Sequence, residues 1–237
     1  MSGRTTNNAG ITALVSGGLD SGVLLARLSR QAREIHPLFI ANGHPWEEAE
    51  FKSLKRFLRA INSPKIKTTV RIDFPIRRLL DQHWGPRGYH PHYNAGYSAN
   101  YIPGRNIALL TAAATNAFVH KLSTIALGLL KNNPYPDSQP AFFRNFETMI
   151  NKGFGFKLRI ITPLAGLNKT AVVQLGRNLP LHLTLSCARP INGRHCGNRC
   201  NKCAERQKAF VLAGVPDQTD YARKPPVVDW AAHKWPD

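Results

Sequence analysis

Short apolar runs alternate with amphipathic stretches along most of the chain. Ile11 to Val15, Ile35 to Ala41, Ile66 to Ile72, Leu122 to Leu127 and Leu158 to Thr162 are aliphatic or β-branched and of strand length. Between them, Gly22 to Leu28, Glu47 to Ala60, Asn106 to Val119, Ala141 to Asn151 and Lys169 to Asn178 predict helices, and Ala204 to Leu212 predicts another near the end. This alternation implies an α/β fold, a parallel sheet with helices on both faces. Ligands of such sheets collect beyond the carboxyl ends of the strands. Residues 81–103 break the pattern: Tyr89, Tyr93, Tyr97 and Tyr101 fall four apart but are interrupted by Pro91 and Gly96. The segment reads as a loop, either a lid whose aromatic rings stack on a flat base or a packed insertion. Residues 1–10 read as a flexible polar arm. The tail 216–237 reads as irregular, with Trp230 and Trp235 expected to dock on a neighbouring subunit.

The most specific chemistry follows the first strand. Ser16-Gly17-Gly18-Leu19-Asp20-Ser21 leads into a helix, so the two glycines can close backbone N–H groups around an anion while the serines add hydroxyl donors and the helix dipole favours negative charge. A Walker A loop would place Gly-Lys-Ser/Thr here, and Gly-x-Gly-x-x-Gly is also absent. Ser-Gly-Gly-x-Asp-Ser instead resembles the PP-loop of ATP pyrophosphatases. That resemblance implies that Val15, Ser16, Gly17, Gly18, Leu19, Asp20, Ser21 and Gly22 hold the pyrophosphate of ATP during AMP transfer to a substrate oxygen. Asp20 suits a magnesium ligand or a constraint on loop shape.

All four cysteines, Cys187, Cys196, Cys200 and Cys203, lie in one short segment, spaced by eight, three and two residues. Such clustering favours a metal over disulfides that join distant parts of a fold. Four thiolates complete a closed tetrahedral zinc site, and Arg189, Arg194, Arg199 and Lys202 favour the thiolate form. An iron–sulfur cluster is the alternative, and His195 is a substitute ligand. The reading divides the chain into an arm at 1–10, an α/β nucleotide domain at 11–180, a metal segment with its helix at 181–215, and the tail.

Taken with Ile102-Pro103-Gly104-Arg105-Asn106, Tyr135-Pro136-Asp137 and Lys169, the PP-loop and the cysteine block resemble the 7-cyano-7-deazaguanine synthase (QueC) family over roughly Ile11 to Gly214. Lysidine, GMP and NAD synthetases share only the PP-loop. The resemblance implies a Rossmann-like, adenine nucleotide α-hydrolase-like fold, with ATP and magnesium as cofactors, structural zinc and a homodimer. The implied reaction adenylates a 7-deazaguanine carboxylate and converts it with ammonia to amide and then nitrile. Asp20, Lys169 and Arg105 are the expected catalytic residues, with Arg105, Asn106 and Lys169 on the phosphates and Tyr135 and Asp137 on the base. In bland terms, Asp137 closes a Pro-rich turn, Arg105 and Asn106 open a helix, and Lys169 is a solvated lysine. The chain departs from the family around the base: Lys131-Asn132-Asn133-Pro134 precedes Tyr135, and Ser138 follows Asp137.

Charge adds one further expectation. The chain has 32 Lys and Arg against 14 Asp and Glu, a net +18, and Lys52, Lys55, Arg56 and Arg59 share one helical face. The face is either solvated or an RNA- or DNA-binding surface. The second reading of function is therefore the same ATP chemistry on a tRNA, DNA or protein-linked substrate, and the third is a zinc-stabilised nucleic-acid-binding module. With no signal-like leader or membrane-length apolar run, the expected location is cytoplasmic.

Overall fold

The strands Ile11–Leu14 (β1), Ile35–Ala41 (β2), Val70–Asp73 (β3), Thr124–Ala126 (β4) and Arg159–Ile161 (β5) pair in parallel, in the order β3-β2-β1-β4-β5. The computed structural model describes residues 10–80, 82–88, 90–131 and 133–234. All of the expected arm at 1–10 except Gly10, and also Asp81, Tyr89, Asn132 and Trp235, therefore lie outside the described residues. The helices are Leu19–Gln31 (α1), Glu47–Ile61 (α2), Trp84–Arg87 (α3), Arg105–Val119 (α4), Pro140–Phe154 (α5), Lys169–Leu175 (α6) and Asn201–Ala213 (α7).

Successive strand residues face opposite layers. Ala13, Phe39 and Ala126 join a core with α1, α6 and α7 through Val23, Leu24, Val172, Val173, Ala209 and Phe210. Leu14, Leu38, Ile40 and Ile125 join the opposite core with α4 and α5 through Leu110, Ala113, Phe143 and Phe146. Since the chain runs outward from β1 in both directions, the switch point lies between β1 and β4, at the loop that follows β1.

Two expectations need correction. The third strand does not run unbroken from Ile66. Ile66 makes an isolated bridge to Ile35, and regular pairing resumes only at Val70 opposite Leu38, one residue out of step. Pro37 explains the break: Ile35 donates to Lys65 and accepts from Lys67 at this edge, and two residues later Pro37 has no N–H to donate. Trp230 does not await a neighbouring subunit. It is 5 % exposed, packed 6.2 Å from Tyr93 and 5.1 Å from His233 between ring centroids. The segment beyond residue 81 forms α3 and a 3-10 turn at Tyr97–Asn100, and it packs on α7, where Tyr93 donates to Gln207 and Asn201 donates to Ala95 and Gly96.

Candidate active site and metal site

The loop after β1 is held from three sides. Ser21 Oγ accepts from Ser16 N–H at 3.0 Å, and Ser16 Oγ accepts from Gly18 N–H at 3.3 Å. Leu185 N–H donates to Gly17 O at 2.9 Å, and Leu19 N–H reaches Ser186 Oγ at 3.4 Å, so the cysteine-bearing segment braces the loop. Gly17 has φ +81°, and a Cβ there would lie 2.3 Å from the Glu50 carbonyl oxygen. Only glycine fits this close passage against α2. Ser186 takes the first N–H of α1, and among the described residues no side chain accepts from the next two, those of Asp20 and Ser21. The first turn therefore still presents backbone donors and a positive dipole end, as an anion requires.

Val15, Ser16, Asp20 and Ser21 line a cleft with Arg105 and Asn106, the first residues of α4. Lys169, the first residue of α6, donates to Asp20 Oδ2 at 2.6 Å. A lysine at a helix N-terminus opposes the dipole, and here a carboxylate compensates it. Burial works against the Lys169 charge, but Asp20 and Glu205 outweigh it and hold its pKa above the ordinary lysine value. Asp20 Oδ1 and Arg105 Nε are buried without a partner among the described residues, so both groups have capacity for a ligand. On the far wall, burial raises the Glu50 pKa to about 8, helped by Glu47 and opposed by Arg105 and Lys202. Glu47 itself accepts from the backbone of Asn42, Gly43 and His44 and fixes the turn after β2.

Arg105, Asn106 and Leu129 also line a second pocket, walled by tyrosines. Tyr97 and Tyr135 stack with centroids 5.7 Å apart and planes 11° apart, Tyr101 lies 5.2 Å from Tyr135, and the Tyr135 hydroxyl donates to Tyr97 O at 2.9 Å. Asp137 lies at its edge and receives Asn106 N–H at 3.3 Å on one oxygen and the Asn106 amide at 3.1 Å on the other. Burial pushes the Asp137 carboxyl up against those donors. The carboxylate thereby joins the Tyr-Pro-Asp turn to the start of α4.

The four cysteine side chains are fully buried, with their sulfurs all within 4.8 Å of one another. The Cys187–Cys200 pair is 3.7 Å apart, and Cys196 lies 3.6 Å from both Cys200 and Cys203. These separations are too long for disulfides and close to the ~3.8 Å edges of a tetrahedron of ~2.3 Å metal–sulfur bonds. Backbone N–H groups of Arg189 and Cys196 each point at Cys187 Sγ at 3.3 Å, support of the kind thiolates need. The donor set fits one metal ion. His195 stands apart, its Nε2 accepting from Ser186 N–H at 3.1 Å.

The loop, Asp20, Lys169, Arg105, Asn106, Tyr135 and Asp137 thus gather at the carboxyl edge of the sheet, and the cysteines form a separate knot behind them. Sequence reasoning passed over Glu50, Ser186 and Glu205, and it assigned Lys202 only an effect on the thiols. Lys202 and Glu205 lie three residues apart on α7, paired at 3.3 Å, and the i, i+3 spacing was the available signal. The basic residues Lys52, Lys55, Arg56 and Arg59 are all exposed on α2, with Lys52 3.9 Å from Glu48.

A sequence profile of the queuosine biosynthesis protein QueC family matches residues 11–214. The 7-cyano-7-deazaguanine synthase of Anaeromyxobacter sp. strain Fw109-5 is 36% identical, covering 94% of this chain and all of that protein. Its counterpart in Anaeromyxobacter dehalogenans is also 36% identical, over 89% of this chain and 94% of its own length. Among solved structures, a 4-thiouridine synthetase in complex with RNA and bound ATP superposes with a TM-score of 0.50 at 13% identity, over 87% of this chain and 52% of that one, a likeness of fold.

Proposed function

The chain belongs to the queuosine biosynthesis protein QueC family, and on that premise we propose that it is an ATP-dependent carbon–nitrogen ligase that turns a 7-deazaguanine carboxylate into the nitrile. The observation that carries this reading is that Arg105 and Asn106 line two neighbouring pockets, a phosphate-suited cleft at the loop after β1 and a tyrosine-walled pocket suited to a flat base.

The substrate carboxylate attacks the α-phosphorus of ATP and pyrophosphate leaves. Ser16, Ser21 and the N–H groups opening α1 hold the departing pyrophosphate, and Lys169 and Arg105 neutralise phosphoryl oxygens. Ammonia displaces AMP to give the amide. A second ATP then adenylates the amide oxygen with release of pyrophosphate, and loss of AMP and of both amide N–H protons leaves the nitrile. No side chain needs to form a covalent bond; positioning and charge neutralisation suffice. Magnesium belongs to the same reading, with the unpartnered Asp20 Oδ1 as its protein oxygen, and would supply positive charge to the phosphates. Tyr135 and Asp137 serve the base side. Zinc is the metal proposed for the four thiols, because their spacing suits a single ion, whereas an iron–sulfur cube would hold its thiolates farther apart. A homodimer and a cytoplasmic location come with the same reading, and exposed Ile107, Phe118 and Val119 on α4 supply an apolar surface for the former. Among the described residues no helix is long and apolar enough to cross a membrane.

Incubation with ATP, magnesium, ammonium and the deazaguanine carboxylate is expected to yield AMP, pyrophosphate, amide and nitrile by mass spectrometry. Asp20→Asn is expected to cut pyrophosphate release about 100-fold or more while the chain still folds, as circular dichroism would show. AMP formation with tRNA, DNA or a protein carrier, but not with the free base, would move the assignment to a macromolecular substrate.

A further inference from the structure

Lys202 occupies an unfavourable place for a lysine. It is the second residue of α7, where the helix dipole repels a cation, and it lies between the thiols Cys200 and Cys203. Its ammonium donates to Glu205 at 3.3 Å and sits 4.8 Å above the Tyr97 ring. Among the described residues that is its one hydrogen bond, so most of its donor capacity is uncommitted. Glu205 is near enough to Lys169 to raise its pKa as well, so Asp20, Lys169, Glu205 and Lys202 form a row of alternating charge from the loop after β1 to the tyrosine wall.

The cations lining the tyrosine pocket are Arg105 and Lys202. Arg105 also faces the nucleotide cleft, whereas Lys202 lines the tyrosine pocket and not that cleft. Among the described residues the one carboxylate lining the pocket, Asp137, is engaged by Asn106. A planar anion entering this tyrosine-lined pocket leaves water and needs a charged donor in return.

We propose that Lys202 is a specificity-determining residue that binds the ionised carboxylate of the substrate, while the tyrosines bind its flat ring. The proposal rests on the functional reading above and deepens it. The cysteine knot gives Lys202 a fixed starting point, since its neighbours Cys200 and Cys203 are both tied into the cluster. The neutral amide gains no ion pair from Lys202, so the residue discriminates the first substrate from the intermediate that replaces it.

The test is equilibrium binding of the metal-loaded protein to the deazaguanine carboxylate and, separately, to its amide. Lys202→Met is expected to weaken carboxylate binding about tenfold or more, the scale of one charged hydrogen bond, and to narrow the carboxylate-to-amide preference by the same factor. Lys202→Arg is expected to restore most of the loss. Equal losses for both ligands, or none, would overturn the proposal while the functional reading stands, provided the wild type still makes nitrile. Wild-type protein that binds neither ligand and makes no nitrile would overturn both. If Lys202→Met disturbs the knot, Glu205→Gln provides a second arm: it removes the anion competing for the ammonium and is expected to tighten carboxylate binding severalfold. Weaker or unchanged binding there would count against the proposal.

Discussion

Glu50 shows what placing a carboxyl in the wall of an anion site does to it. Burial lifts its pKa from 4.5 to about 8, so at neutral pH it carries a proton and adds no negative charge beside phosphates. Between those values the folded chain holds a proton that the unfolded chain has released. Its contribution to stability is therefore present at low pH and is lost as pH rises through that window. Gln mimics the protonated acid. Glu50→Gln is accordingly expected to melt close to wild type near about pH 5 and well above it near about pH 9, by a few kcal/mol at ~1.4 per pKa unit. Parallel melting curves across that range would show that Glu50 titrates normally. The backbone of the same residue matters as much as its side chain, because the Glu50 carbonyl is what a Cβ on Gly17 would strike. One residue of α2 thus sets both the charge and the shape of the phosphate cleft.

At the scale of elements, strands β1 and β2 and helices α2 and α4 were legible because their patterns are local. β3 was not, because its break is imposed by Pro37 on a different strand. The loop after β1 and the four thiols stood out by residue type and spacing, whereas Arg105 and Asn106 were singled out through the family resemblance, and the fold brings them to one cleft with Ser16 and Asp20. Glu50 and Glu205 were not: on their own helices they read as ordinary surface acids, and only the packing of α2 and α7 against the loop and α6 turns them inward. The 81–103 segment offered tyrosines four apart but interrupted by Pro91 and Gly96, and contacts with α7 hold it in place. Helix α7 ties the thiol knot to the rest of the molecule, since it begins in the knot and ends in the core beside α1. Metal binding at such a knot is coupled to folding of the segment it closes. One zinc per chain is expected by elemental analysis, and its removal by a chelator is expected to lower the melting temperature and increase hydrogen exchange over residues 187–203. Brown protein holding iron and sulfide, or exchange unaffected by the chelator, would contradict this.

The whole molecule carries +18, and little acid offsets the outward face of α2. Glu48 serves both Lys52 and Arg71, leaving Lys55, Arg56 and Arg59 exposed. We propose that this face attracts nucleic acid. If so, neutralising Lys52, Lys55, Arg56 and Arg59 together should weaken RNA or DNA binding and flatten its log–log salt dependence by about three. An unchanged slope would mark the face as solvated. Trp230 carries a different consequence. The profile match ends at residue 214, yet Trp230 beyond it packs on Tyr93, in the segment that leads to Tyr97 and Tyr101. A growing chain has made all five strands by residue 161, so the packing of Trp230 on Tyr93, which steadies the segment leading to Tyr97, can form only after the sheet.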